Sequence, residues 1–463
     1  MRPRMTMPTT SVLPNTEEAK APAKGSLGVI FLTVFIDLLG FGMVLPLLPL
    51  YGKSLAESGG FDQWTTGWML GLLTCSFSAA QFVCAPIWGR LSDRVGRRPV
   101  LLMGLTGSVI FYAIFGISAA FGSLWGLFFS RIGAGVAGAT ISTAQAYIAD
   151  STTPKGRAKG MALVGAAFAL GFTLGPLLGS AALLLGPAAA RSPWPGFVAS
   201  GLSAIALFLA WRRLPESRTL SNQNQRLNAS KGGMLAGMSP SVLAFIGTAF
   251  ASVLAFSQFE SSLSLVIDKI VQIDSQLTEI PQEASRVLAW FDPDQRMRSV
   301  DNRRSVVVLG VFVYLGFVLT LAQGFLVRRL AGRVSERMMA TTGWIFAIVG
   351  LIAIGWTSRQ GNFDLFLVAI AIEVIGFACV TPSVQSLISR GSDPEHQGAV
   401  LGVMQSATAV ARILGPLVAM PLVAFQIDWP AWSAALFSAV GLLLFLLAVR
   451  KGGDWKVSQQ PSD

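Results

Sequence analysis

Long apolar runs alternate with short polar breaks along almost the whole chain. A helix crosses a bilayer with about 20 mostly apolar residues. Twelve stretches meet that length, at 27–50, 64–88, 99–120, 124–147, 158–185, 196–213, 240–267, 305–327, 340–357, 364–388, 398–424 and 430–449. Gly and Pro recur inside them, which membrane helices tolerate because neighbouring helices satisfy the freed backbone groups. The pattern predicts an all-α membrane protein of twelve transmembrane helices.

The polar stretches set the organisation. Residues 1–26 have no apolar core of a signal peptide and read as a disordered cytoplasmic tail. Residues 214–239, with SNQNQRLNASKGG, read as a cytoplasmic linker, 268–303 as a long external loop, and 451–463 as a second cytoplasmic tail. Lys and Arg number 24 on the side of the two tails and 9 on the other side, most of the 9 in loop 268–303. The positive-inside rule then places both termini in the cytoplasm, and the chain is expected in the cell (inner) membrane as a multi-pass protein.

Composition removes several alternatives. The chain is 52% hydrophobic and 13% charged, against about a quarter charged in soluble domains. A net charge of +11 would suit nucleic acid, but the cations cluster in the breaks between spans, so no nucleic-acid partner is expected. Cys75, Cys84 and Cys379 are scattered through apolar runs and give neither a disulfide framework nor a metal spacing. The single histidine, His396, lies in a polar loop. No nucleophile–base or metal constellation stands out, so the chain is expected to be neither an enzyme nor a cofactor protein.

The chain repeats itself. GRLSDRVGRR at 89–98 aligns with RRLAGRVSER at 328–337 at an offset of 239. Gln145, Pro154 and Leu174-Gly175-Pro176-Leu177 align with Gln385, Pro394 and Leu414-Gly415-Pro416-Leu417 at 240. Two pseudo-symmetric six-helix bundles, 27–213 and 240–450, follow from this, and two similar bundles around a central site are a transporter architecture.

Five ionisable residues lie well inside spans: Asp37, Arg131, Glu260, Glu373 and Arg412. Each costs roughly 2.5–3.5 kcal/mol or more at mid-bilayer, which makes them candidates for proton coupling and substrate contact. A static buried ion pair is the structural alternative. Asp37 is the leading proton carrier and is read as pairing with Arg131. Two arginines favour anionic solutes, and three carboxylates favour cations. Gly135, Gly138 and Ala139 share the face of Arg131 and admit a close neighbour helix. Gly171, Gly175 and Gly179, with Pro176, form a flat, kinked face suited to an interface between moving halves. The break Gly89–Pro99 can form a charge cluster from Asp93 and its arginines, joined by Asp150.

That break resembles the signature loop of the major facilitator superfamily at Gly89, Leu91, Asp93, Arg94, Gly96, Arg97 and Arg98. The resemblance implies the major facilitator fold, and a loop that latches one state through Asp93 and Arg94, with Asp150 as its acidic partner. Asp37-Leu-Leu-Gly-Phe-Gly-Met-Val-Leu-Pro46, Arg131-x-x-x-Gly135 and GFTLGPLLGS resemble the motifs of twelve-span drug:proton antiporters, and AYIADSTTPKGRAKG resembles tetracycline exporters. GMALVGAAFALGFTLGPLLG and the run Arg412-x-x-Gly415-Pro416 resemble the animal tetracycline transporter-like protein, an organic anion exporter. Phe111, beside Tyr112, stands where tetracycline pumps carry an acid, which speaks against metal–tetracycline export. The second half carries Gly332 in place of Asp93 and so lacks the latch acid. The function implied is proton-coupled efflux of amphipathic small molecules, by alternating access, in a monomer whose partners are solute, protons and lipid. Symport or uniport of a metabolite on the same fold is the alternative.

Overall fold

The computed structural model describes residues 25–152, 157–185, 191–217, 239–273, 300–330, 333–392 and 397–451. These are almost wholly helical. Eleven helices are long and apolar enough to cross a membrane, and the fifth in chain order, Arg157–Leu183, supplies a twelfth with its apolar stretch Leu170–Leu183.

The spans run longer than their apolar cores. The first is Gly25–Val44, broken at Pro46 and resumed as Leu48–Ser58. Pro46 lacks an N–H and its ring obstructs the preceding turn, so the helix ends where the sequence pattern ran straight through. The second span, Gln63–Val95, absorbs most of the signature loop, and only Gly96 separates it from the third, Arg97–Phe121. The fourth is Leu124–Gly138 continued by Ile141–Asp150, and the sixth Trp194–Arg213. The seventh, Pro240–Ile273, and the eighth, Val300–Leu321 with its continuation to Leu330, take both ends of the expected external loop into helix. Residues 274–299 of that loop lie outside the described residues, as do Gly332, His396, most of the linker and nearly all of both tails. The ninth to twelfth spans are Glu336–Gln360, Phe363–Arg390, Gln397–Phe425 and Trp429–Lys451.

The repeat is visible in the turns. Gly122 ends the third span and Gly361 the ninth, both in the left-handed conformation that glycine adopts without strain. Ser123 then caps the fourth span through Gly126 N, and Asn362 caps the tenth through Leu365 N.

Each bundle is closed by backbone-to-backbone approaches at glycines. Gly42 of the first span lies on Gly175 of the fifth, Gly196 on Gly116, Gly350 on the backbone of Glu373, and Gly415 on Ser257. Between bundles, the second span meets the eleventh at Gly67 and Gly71, where an added Cβ would lie 2.9 Å from Pro421 Cα and 3.0 Å from the Pro416 oxygen. The fifth meets the eighth at Thr173 and Gly316, with the Thr173 and Thr320 hydroxyls 3.3 Å apart.

The contacts at Gly67 and Gly71 lie toward the end away from the signature turn, and that of Thr173 with Gly316 lies near mid-span. At the far end the apolar cluster of Met43, Leu47, Leu73 and Leu183 takes in Leu309 of the other bundle, and Leu70 joins Leu265 and Met420. At the end carrying the signature turn, the clusters around Ile30, Leu101 and Tyr147 and around Phe245, Trp344 and Phe445 each draw on a single bundle. Among the described residues, the apolar clusters join the halves at the far end and not at the basic end.

Candidate functional site

In the first bundle, Arg131 is 1% exposed. Its guanidinium carbon sits 4.8 Å from the ring centre of Phe77 and 5.6 Å from that of Phe41. The small residues after it make this arrangement possible. A Cβ at Gly135 would collide with the Phe77 carbonyl oxygen, and one at Gly138 would press on the Phe77 ring, 3.1 Å away. The expected close approach is therefore made by the second span. Aromatic faces attract a desolvated cation by about 2 kcal/mol, which falls short of the cost of burying it. Arg131 Nε also has no hydrogen-bond partner among the described residues.

Asp37 is half-buried beside Ser108, and its Oδ1 likewise lacks a partner. Tyr112, buried against Gly40, stands within electrostatic reach of both Asp37 and Arg131. No ion pair joins the two among the described residues. The pairing read from the sequence is corrected: the arginine is held by the rings of Phe77 and Phe41 instead.

In the second bundle, Glu373 is 2% exposed, and its Oε2 has no partner. Glu260 lies within electrostatic reach of both Glu373 and Arg412. Arg412 itself is exposed, so the five membrane charges are not equally buried. A charged group exposed at mid-span faces a water-filled space rather than lipid. Gln258, fully buried, accepts a 2.9 Å hydrogen bond from Ser433 and leaves Nε2 without a partner. Sequence reasoning passed over Tyr112 and Gln258 as site residues. Their signals were proximity to Phe111 and to Glu260.

The signature turn is organised by Arg97. This residue is 5% exposed and bonds Asp93 at 2.7 Å, Asp150 at 3.2 Å and the Ser92 hydroxyl. The resemblance implies a core of Asp93 and Arg94, and here Asp93 also bonds Arg97, one turn on. Asp150 joins as expected. Glu216, from the start of the linker, accepts from Arg97 N at 2.9 Å and Arg98 N at 3.1 Å, placing a carboxylate on the N-terminus of the third span. Its carboxyl lies against Gly96, whose φ of +104° also excludes a side chain. Arg98 donates to Trp211 O.

The glycines of the fifth span are placed differently from the expectation. Gly171 and Gly175 face Leu38 and Gly42 of their own bundle, and Gly179 alone touches both Met43 and Leu309 of the eighth span. Thr173, on the opposite side, carries the contact between halves.

In the second half, Glu336 takes the place of Arg97 at an offset of 239, and Arg390 that of Asp150 at 240. They bond each other at 3.1 Å. The lost latch acid is thus accompanied by a second ion pair with the two charges exchanged.

The family model described as Major Facilitator Superfamily matches residues 30–280 and 300–462. The class C tetracycline resistance protein of Escherichia coli is 29% identical over 93% of this chain and 98% of its own length. The human Major facilitator superfamily domain-containing protein 10 is 30% identical over 92% and 93%. The crystal structure of the human organic anion transporter MFSD10 superposes with a TM-score of 0.61 at 25% identity, covering 91% of this chain and 98% of that one.

Proposed function

Because this chain belongs to the Major Facilitator Superfamily and is a membrane transporter, we propose that it exports amphipathic small molecules, drugs or organic anions, in exchange for protons. The observation that carries the reading is in the first bundle. Asp37 and Arg131 have opposite charge, each keeps an atom without a partner, and neither is spent on the other. A carboxylate that alternates between a proton and a neighbouring cation couples the two by electrostatics alone. Tyr112 bridges their fields.

Glu260, Glu373 and Arg412 form the selecting group of the second bundle. An exposed arginine beside two acids accepts a solute anion while the acids hold protons. Relatives include a tetracycline resistance protein and an organic anion transporter, and both names fit an amphipathic cargo. With the basic end in the cytoplasm of the inner-membrane-bound monomer, the end that the apolar clusters leave unjoined faces inward, ready to load solute for export. Rocking of the bundles, latched by Arg97, completes alternating access.

The test is substrate-induced proton movement in everted vesicles. Asp37→Asn and Arg131→Ala are each expected to lower coupled flux by about tenfold or more, the scale of one lost charge-assisted contact. Undiminished coupling in both variants removes the proton assignment. Solute accumulation driven with the proton gradient replaces export with symport.

A further inference from the structure

Three rings of the first bundle form a cluster, and the Arg131 guanidinium sits over two of them. Phe41 lies 4.9 Å from Phe77 and 5.7 Å from Phe172, ring centre to ring centre. The guanidinium rests on Phe77 and Phe41. All three phenylalanines are half-buried, while the arginine is fully buried. Phe41 stands four residues after Asp37 and shares its face of the first span. Phe172 precedes Thr173, and its carbonyl oxygen lies 3.0 Å from where a Cβ on Gly316 of the eighth span would sit. The cluster therefore borders the seam between the bundles.

Arg131 is a poor permanent occupant of this place. Two ring faces offset only part of the cost of burying its charge. It makes no ion pair among the described residues, and its Nε has no hydrogen-bond partner. A flat neutral group on the same rings would stack there without a charge to bury. It would also leave the guanidinium free to approach Asp37, whose Oδ1 lacks a partner.

The repeat shows such a group in place. Gly42 of the first span meets Gly175, and Ser257 of the seventh meets Gly415, which aligns with Gly175 at the offset of 240. Phe41 and Phe256, each one residue earlier, are thus equivalent positions. Phe256 is stacked face to face on Phe377 of the tenth span, the repeat of the fourth, with ring centres 4.0 Å apart. What the fourth span supplies to Phe41 as a flat guanidinium, the tenth supplies to Phe256 as an aromatic ring.

We infer that Phe41, Phe77 and Phe172 form the seat for a flat aromatic ring of the exported solute, and that Arg131 fills this seat until the solute displaces it. The inference rests on the reading of the chain as an exporter of amphipathic molecules.

Equilibrium binding to the purified full chain, with no proton gradient, tests this with 2-naphthoate and its saturated counterpart, decahydro-2-naphthoate. The two carry the same carboxylate on bodies of similar size, and only the first has a π face. Wild type is expected to bind 2-naphthoate about three- to tenfold more tightly, the scale of one aromatic pair. Phe41→Leu and Phe77→Leu are each expected to erase that preference and to leave the saturated compound bound as in wild type. Arg131→Lys keeps the charge but stacks poorly on a ring, so it is expected to bind 2-naphthoate about threefold more tightly than wild type. An arginine that anchored the carboxylate would give the opposite sign. Equal binding of the two probes by wild type, a preference that survives both leucine variants, or binding in Arg131→Lys that is unchanged or weaker overturns the inference. Binding of neither probe removes the amphipathic cargo on which it rests. Failure of proton coupling in everted vesicles leaves the seat standing, because no gradient enters this measurement.

Discussion

Arg97 shows how much of a motif depends on placement. Arg94 and Arg97 lie three residues apart in a run of arginines, and nothing in their identity distinguishes them. The fold does, by turning at Gly96 and setting Arg97 in the first turn of the third span, beneath Asp150. Arg97→Ala is expected to lower stability by about 1.5–3 kcal/mol, because it removes the buried guanidinium that bonds Asp93, Asp150 and Ser92, measured as a fall in thermal midpoint in detergent. Arg97→Lys is expected to recover little, since one ammonium cannot fork between Asp93 and Asp150. The cluster was legible in the sequence, and so was Asp150. Glu216 was not, because it arrives from 119 residues away and its role needs the helix start it covers. The cage around Arg131 was half legible. The glycine stripe announced a close helix, but not that the helix would bring Phe77 rather than an acid.

At the level of elements, the exchanged pair Glu336–Arg390 holds the ninth span to the tenth as Arg97–Asp150 holds the third to the fourth. Glu336 and Arg390 are both partly exposed, so that pair is worth only about 0.5–1 kcal/mol. Glu336→Arg and Arg390→Glu are each expected to destabilise by that order, and the double swap to restore the midpoint, since the two sites couple directly. The glycine faces carry a sharper expectation. Gly71→Leu forces the second span off Pro416. Overpacking there costs about 1–3 kcal/mol, equivalent to about tenfold or more in population toward the state open at the far end. Cysteine labelling at the far end, faster in this variant than in wild type, reads the shift. Glycine spacing in the sequence revealed tight packing, but a stripe such as Gly171 and Gly175 does not reveal its mate. That face went to the first span, and the half-to-half contact fell to Thr173.

For the whole molecule, the repeat and the twelve spans were written plainly in the hydropathy, because lipid leaves no other solution for so many apolar runs. Which end would be closed was not, since the same faces pack in either state. In this state Lys53 lies 3.8 Å from Asp268, and Ser264 donates to Pro46 O at 2.7 Å, both across the seam. The pair K53C and D268C, bridged by a short thiol cross-linker, is expected to arrest transport nearly completely, with transport returning when the bridge is cleaved. Full transport with the bridge intact would show that the far end need not open.

The spans also differ in length, and the bilayer must absorb the difference. The second and seventh helices have 33 and 34 residues, about 50 Å of helix, against a hydrocarbon core of about 30 Å. The third and ninth, at 25 residues each, come to about 37 Å and fit nearly upright. The long pair must therefore lean or protrude, and the second helix is one that touches the opposite bundle. Rocking changes that lean. Membrane thickness thus becomes a variable of the transport cycle, with thin and thick bilayers favouring different positions of the same two helices.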